Sequence, residues 1–437
     1  MAVNLGAPAA PSFFLPCSSS PLQIHHNVST CALNTRLNFP SLAIPKYPIP
    51  SLIGANASAA STAAVSTEKE EVLPPLDVSE VNRKSKKWVW KGYTINYLVY
   101  PEGSSDAATA VNPPLLLVHG FGASIAHWRR NIPTLAQSHT VYAIDLLGFG
   151  ASDKPAGFQY SMEVWAQLIL DFLDEVVQRP TVLLGNSVGS LACVIAAAES
   201  SRSLVRGLVL FNCSGGMNNK AIVDDWRIKL LLPLLWLVDF LLKQKGIASY
   251  LFDRVRQRDN LRNVLLSVYG NKESVDEDLV EIIRKPALDE GALDAFVSIV
   301  TGPPGPNPIQ LIPKIALPVL VLWGDEDPFT PIDGPVGKYF SALPAQMPNV
   351  NLFLLEGVGH CPHDDRPDLF LENGVLQPPT APPVPTRIPE TGKLPKLSSF
   401  ERKALKEFIL LVQEALRNHE FSARRSIPKL SSFPQKL

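Results

Sequence analysis

From Lys87 to Gly357 the chain alternates short apolar runs with longer stretches of helical spacing. The segment KWVWKGYTINYLVY (87–100) alternates aromatic and polar residues about Gly92, which predicts a β-hairpin. Further runs read as strands: LLLVHG (115–120), TVYAID (140–145), TVLLGN (181–186), GLVLFN (207–212), PVLVLWG (318–324) and VNLFLLEG (350–357). These are apolar at consecutive rather than alternate positions, so both faces of each need cover, as in a parallel sheet between helical layers. Between the second and third of them, SMEVWAQLILDFLDEVV (161–177) has helical spacing, with Ser161 placed as its N-cap. The predicted fold class is α/β, a mostly parallel sheet with helices on both faces. In such sheets chemistry gathers beyond the C-terminal strand ends.

The alternation breaks between 214 and 313. This stretch is leucine-rich early (LLLPLLWLVDFLL, 230–242), charged in the middle (DRVRQRDNLR, 253–262) and ends in the loop TGPPGPNP (301–308). It reads as a helical cap inserted into a core formed by 87–213 and 314–370. Its most apolar part is interrupted by Pro233 and Asp239, too soon for a membrane-spanning helix.

Composition narrows the partners. With 46% hydrophobic residues and a formal net charge of −1 over 437 residues, the chain has ample core and no basic excess for a nucleic acid. The 40 prolines are about twice the usual ~5% share and crowd into both ends. Before Glu68 there is no acidic residue, and Ser, Ala, Pro and Asn dominate, so 1–70 reads as an organelle transit peptide of the chloroplast kind. The Pro-rich tail 371–437 carries PKLSSF at 395–400 and again at 428–433, around the amphipathic FERKALKEFILLVQEALRNH (400–419). The 5 cysteines have neither disulfide-framework nor metal-ligand spacing, and no dinucleotide or P-loop pattern occurs. No metal or cofactor is expected.

The candidate chemistry starts at Gly185-Asn186-Ser187-Val188-Gly189, where a strand becomes a helix. A serine in such a tight turn is lifted clear of the sheet, and Gly185 and Gly189 remove side chains that would block the turn. A hydroxyl is a weak nucleophile until a base takes its proton, and that base needs an orienting acid. WGDEDP (323–328) and GVGH (357–360) end the last two strands and supply both, in the order nucleophile, acid, base. Asp327 is preferred to Asp325, and His360 to His363, which is assigned to shaping the pocket. An oxyanion hole needs two backbone N–H groups. Val188 supplies one; the loop His119-Gly120-Phe121-Gly122 supplies the other through Phe121, with Gly120 and Gly122 letting the backbone approach. DLLGFGAS (145–152) reads as a turn shaping the base of the site.

The motifs HGFGAS (119–124), DLLGFGASDKP (145–155), GNSVGS (185–190), WGDEDPFTP (323–331) and GVGHCPHDDRP (357–367) resemble those of the α/β-hydrolase superfamily, from about Lys87 to Phe370. The preference for Asp327 rests on that resemblance, since the superfamily's acid usually sits just before a proline. The elbow, the histidine loop, the LPLLW-containing cap and the N-terminus resemble the plant chlorophyll-ester branch. That implies a serine ester hydrolase taking chlorophyll or a related phytyl ester, with peripheral contact to thylakoid membranes. A pheophytin or another plastid ester, or a non-catalytic receptor on the same fold, are the alternatives. Epoxide and haloalkane branches place aspartate at the elbow. The tail departs from the superfamily pattern, in which a last helix follows the histidine loop.

Overall fold

The computed structural model describes residues 72–102, 112–200, 204–218 and 236–370. The segment 1–70 that reads as a transit peptide, the tail 371–437 and the first part of the apolar stretch 230–242 lie outside them, so those expectations are not addressed by the structure. Eight strands form one sheet: β1 (Lys86–Trp90), β2 (Tyr93–Tyr100), β3 (Leu115–Val118), β4 (Val141–Ile144), β5 (Thr181–Asn186), β6 (Val205–Phe211), β7 (Val319–Gly324) and β8 (Val350–Leu355). Their order is β1-β2-β4-β3-β5-β6-β7-β8. Only β2 runs against its neighbours; every other adjacent pair is parallel. The β1–β2 turn places Lys91 and Gly92 at φ 49° and 86°, the positive values a two-residue hairpin turn of right-handed twist requires.

The consecutive apolar positions have the reason anticipated. Leu116 and Val118 of β3 join a core with helix Met162–Phe172 and helix Val188–Glu199 on one face. Leu115 and Leu117 point the other way, into a core with Ile125, Trp128, Ile132 and Leu135. Side chains alternate across a strand, so a run buried on both faces has no polar positions to spare. Each fully buried side chain of this size contributes roughly 1.5–3 kcal/mol by leaving water. Ser161 caps its helix by accepting from Val164 N at 3.3 Å. The helix becomes a π turn over Leu173–Val177 and ends where Gln178 takes φ 56°.

Strand order reverses at β3. The chain moves from β3 outward to β4 and then returns to lay β5 on the opposite side of β3. The crevice between the C-terminal ends of β3 and β5 is a topological switch point, where open α/β sheets bind ligands. The HGFG loop follows β3 and the elbow follows β5, so both border that crevice.

Between β6 and β7 the described residues are helical: 236–242, Lys245–Val255, Arg258–Val268, Glu277–Arg284 and Ala292–Thr301. Asp276 caps the fourth of these by accepting from Leu279 N at 2.7 Å. Leu279 and Val280 pack with Leu265, Tyr269 and Cys361, so this cap is seated on the loop that carries His360. Among the described residues no helix is long and apolar enough to cross a membrane.

Candidate active site

Ser187 has φ 55° and ψ −119°, a backbone conformation that costs a non-glycine residue about 1–3 kcal/mol. The surroundings over-determine it. Its N–H donates to Phe211 O at 2.9 Å, and its carbonyl accepts from Leu191 N and Ser214 N, each at 3.2 Å. The helix behind it is pressed so close to β3 that a Cβ on Gly189 would lie 2.4 Å from His119 O. On Gly185 it would lie 2.6 Å from the Gly189 backbone. Both glycines are therefore required by backbone contact, which the turn pattern anticipates.

The HGFG loop meets the elbow directly. A Cβ on Gly120 would lie 3.3 Å from Ser187 Cβ and 2.8 Å from Asn186 Oδ1, so only glycine lets this loop approach so closely. Gly122 turns the loop with φ 72°. His119 is buried and held as one tautomer: Nδ1–H donates to Gly120 O at 2.7 Å, while Nε2 accepts from Leu146 N at 3.0 Å. Burial keeps its pKa below the ordinary imidazole value. Among the described residues no hydrogen bond takes up the N–H of Phe121 or of Val188.

Asp327 and His360 are joined, Nδ1 to Oδ2, at 2.8 Å. Asn212 Nδ2 donates to the same oxygen at 2.6 Å, as does the Thr330 hydroxyl. Oδ1 accepts from Phe329 N at 2.7 Å and Thr330 N at 3.1 Å. Burial by itself would raise this carboxyl's pKa, but the facing imidazole and the donated hydrogen bonds outweigh it and hold the value at about 2. Asp325 instead accepts from Gly357 N at 2.8 Å, which closes the loop between β7 and β8 ends.

Ser187 reaches this pair through its neighbour. Asn186 Nδ2 donates to His360 O at 3.0 Å, so nucleophile and imidazole loops are adjacent along one hydrogen bond. No hydrogen bond joins Ser187 Oγ to the imidazole among the described residues. Bonds of that kind often tighten only in the reacting complex. Phe329 stands edge-on to the His360 ring with centroids 5.1 Å apart, and Phe121 contacts Phe149 and Phe296 at 5.6 and 6.0 Å. The approach to the serine is therefore aromatic.

Asn212 and Asn186 are site residues that sequence reasoning missed. Asn212 follows β6 with φ 41°; the signal in the sequence is an asparagine, a residue type that tolerates positive φ, ending the apolar run GLVLFN. Sequence reasoning gives His363 a part in shaping the pocket; the structure places its ring in the core. It is completely buried, with its ring 4.0 Å from that of Trp128 and 4.6 Å from that of His127. DLLGFGAS does form a built turn, with Asp145 accepting from Ile125 N and Ala151 N at 2.7 and 2.8 Å.

A buried polar network lies behind the histidine loop. Arg129 donates to Asp364 at 3.0 Å and to Asp276 at 2.9 Å, and Tyr269 OH donates to Asp364 at 2.9 Å. His127 Nε2–H donates to the same tyrosine oxygen at 2.7 Å. Burial first, then the nearby arginines and His119, push the His127 pKa down to about 4, with Asp364 opposing. The unfolded chain then binds a proton that the fold rejects. His127 stabilises fully above about pH 6.5, and that contribution is lost as pH falls towards 4. The loss is on the order of 3 kcal/mol. Thermal unfolding followed by circular dichroism should show a lower midpoint at pH 5 than at pH 7.5. A His127→Gln chain should show a smaller drop.

A sheet with this order, carrying a strained serine at its switch point and a buried Asp–His pair at the next strand ends, defines the α/β-hydrolase class. The chain belongs to the alpha/beta hydrolase family, whose model matches residues 115–373. It is 27% identical over 262 residues to an uncharacterized hydrolase, YugF, of Bacillus subtilis, covering 59% of this chain and 87% of that one. To the chloroplastic pheophytinase of Arabidopsis thaliana it is 25% identical over 299 residues, covering 59% of each, so the match spans little over half of that relative. The solved meta-cleavage product hydrolase of Pseudomonas fluorescens shares the fold, with a TM-score of 0.50 and 21% identity over 66% of this chain and 94% of that one.

Proposed function

We propose that the protein is a serine ester hydrolase of plastids that removes phytol from chlorophyll, a chlorophyll dephytylase-type activity. In this reading Ser187 attacks the ester carbonyl and His360 takes its proton. Asp327 holds the imidazole in the tautomer whose Nε2 can accept. The amides of Phe121 and Val188 receive the charge that develops on the carbonyl oxygen. The alcohol leaves with the proton from His360; water then releases the acid by the same base in reverse order.

The observation that carries the hydrolytic chemistry is the Asp327–His360 bond beside the strained serine. The substrate class draws support from the resemblance to pheophytinase and from the apolar character of the approach. Each buried CH₂ of a phytyl chain is worth ~0.8 kcal/mol, so a long branched tail rewards an apolar route to the serine. Trp236, Leu237 and Phe240 are exposed at 74, 51 and 61%, and exposed Lys243 and Lys245 follow them. An apolar face beside lysines suits the surface of an anionic bilayer.

The test is incubation of the purified chain with chlorophyll, pheophytin and a p-nitrophenyl ester, with products separated chromatographically. Chlorophyllide and phytol from chlorophyll are expected. Pheophytin turnover alone moves the assignment to that pigment, and binding without turnover favours a receptor. A Trp236→Ser/Phe240→Ser chain should lose at least tenfold on pigment in vesicles and less than twofold on the short ester. Equal loss on both would remove the interfacial role.

A further inference from the structure

The loop carrying His360 is tied to the strand ends through Asp325, Asp327 and Asn186, and independently to the cap. Asp365 Oδ2 accepts from Gly359 N at 2.6 Å and from Gly270 N at 2.8 Å, while Oδ1 accepts from Asn271 N at 2.8 Å. One buried carboxylate thus grips the residue before His360 and two residues just beyond cap helix Arg258–Val268. The amide of His360 itself donates to Val268 O at 3.0 Å. The two backbones touch. A Cβ on Gly359 would lie 2.0 Å from Val268 O, and one on Gly270 would lie 2.1 Å from Gly357 O. With no side chain between them and a shared carboxylate holding both, a shift of 268–271 carries 357–360 along.

We propose that Asp365 is a positioning residue for His360, through which the cap sets whether the imidazole reaches Ser187. The inference rests on the assignment of Ser187 and His360 made above. Asp327 holds the imidazole from one side, while among the described residues no hydrogen bond joins that imidazole to Ser187 Oγ, so one adjustment remains before reaction. Asp365 transmits the cap's contribution to it. Substrates long enough to press on the cap feel that link; short ones leave the cap where it is. An asparagine at 365 keeps the size but places an NH₂ group against at least one backbone N–H, breaking the grip on one side.

The experiment compares p-nitrophenyl acetate with p-nitrophenyl laurate, using the full chain and its Asp365→Asn, Asp365→Glu and Tyr269→Phe variants. Misplacing a reacting group by about 1 Å costs about 100-fold. Asp365→Asn should therefore lose 10- to 100-fold in kcat on the laurate with KM within twofold, and under threefold on the acetate. Asp365→Glu, which keeps the carboxylate, should recover part of the laurate kcat. Tyr269→Phe, a milder change in the same cap segment, should show the same pattern at smaller size and decides the matter if Asp365→Asn does not fold. A kcat within twofold of wild type on both esters, or equal loss on both with a matching fall in thermal midpoint, overturns the positioning role alone. Absence of Ser187-dependent turnover in the wild type overturns the site assignment itself.

Discussion

Ser187→Ala should abolish turnover of every ester the protein accepts, lowering kcat by about 10⁶-fold, the size of loss that removal of a nucleophilic serine brings elsewhere. The fold should not register the change. Ser187 Oγ makes no capping hydrogen bond, and alanine meets the same positive φ that serine already occupies. Its N–H and carbonyl bonds to Phe211, Leu191 and Ser214 are backbone bonds and persist. A fluorophosphonate probe followed by intact-mass spectrometry separates the chemistry from the fold: one adduct on the wild type, none on the variant, with equal thermal midpoints. An adduct on the variant, or a residual rate within tenfold of wild type, would place the nucleophile elsewhere.

Asp327→Asn should cost about 10⁴-fold in kcat, because the wrong tautomer of the imidazole is then stabilised. Asp327 accepts from His360, Asn212, Thr330 and Phe329, so an amide at this position must turn an NH₂ towards a group that is itself a donor. His360 can relieve the conflict only by moving its proton to Nε2, where it can no longer accept from Ser187. The pH dependence follows from the same contacts. The carboxyl titrates at about 2 in the fold against 3.8 in the free chain. Its stabilisation, roughly 2 kcal/mol, is therefore present above pH 3.8 and lost as pH falls through 2. The wild-type rate profile should carry no inflection from this group at any pH above about 4. A stopped assay with p-nitrophenyl acetate from pH 4 to 9 checks both statements.

Much of this site was legible because its signals are local. The GNSVG elbow needs only a strand, a tight turn and a helix, and each is written in adjacent residues. The two-faced burial of β3 to β7 follows from consecutive apolar positions, whereas β8, equally apolar in sequence, is the sheet's edge and leaves Leu354 exposed. The choice of Asp327 over Asp325 was less local. Sequence placed it by analogy to a proline, whereas the physical discriminator is the set of donors around each carboxylate. Asp327 faces His360, Asn212 and Thr330, while Asp325 faces a backbone amide of the neighbouring loop. The surroundings of His363 were hidden for a related reason: proximity to His360 along the chain does not say which way a ring points, and this one turns onto Trp128.

By itself the sequence determined the strand–helix alternation, the parallel sheet and the strand–turn–helix elbow, since these depend on side-chain periodicity and on backbone demands met within a few residues. Only the tertiary structure decided which carboxylate turns to the imidazole, and that the cap is fastened to the histidine loop. Asp365 is 95 residues from Gly270, and Arg129 is 235 from Asp364. Hydrogen bonds across such separations are imposed by how elements stack. A buried charge must find its partners wherever packing has brought them, and no local pattern records where that will be.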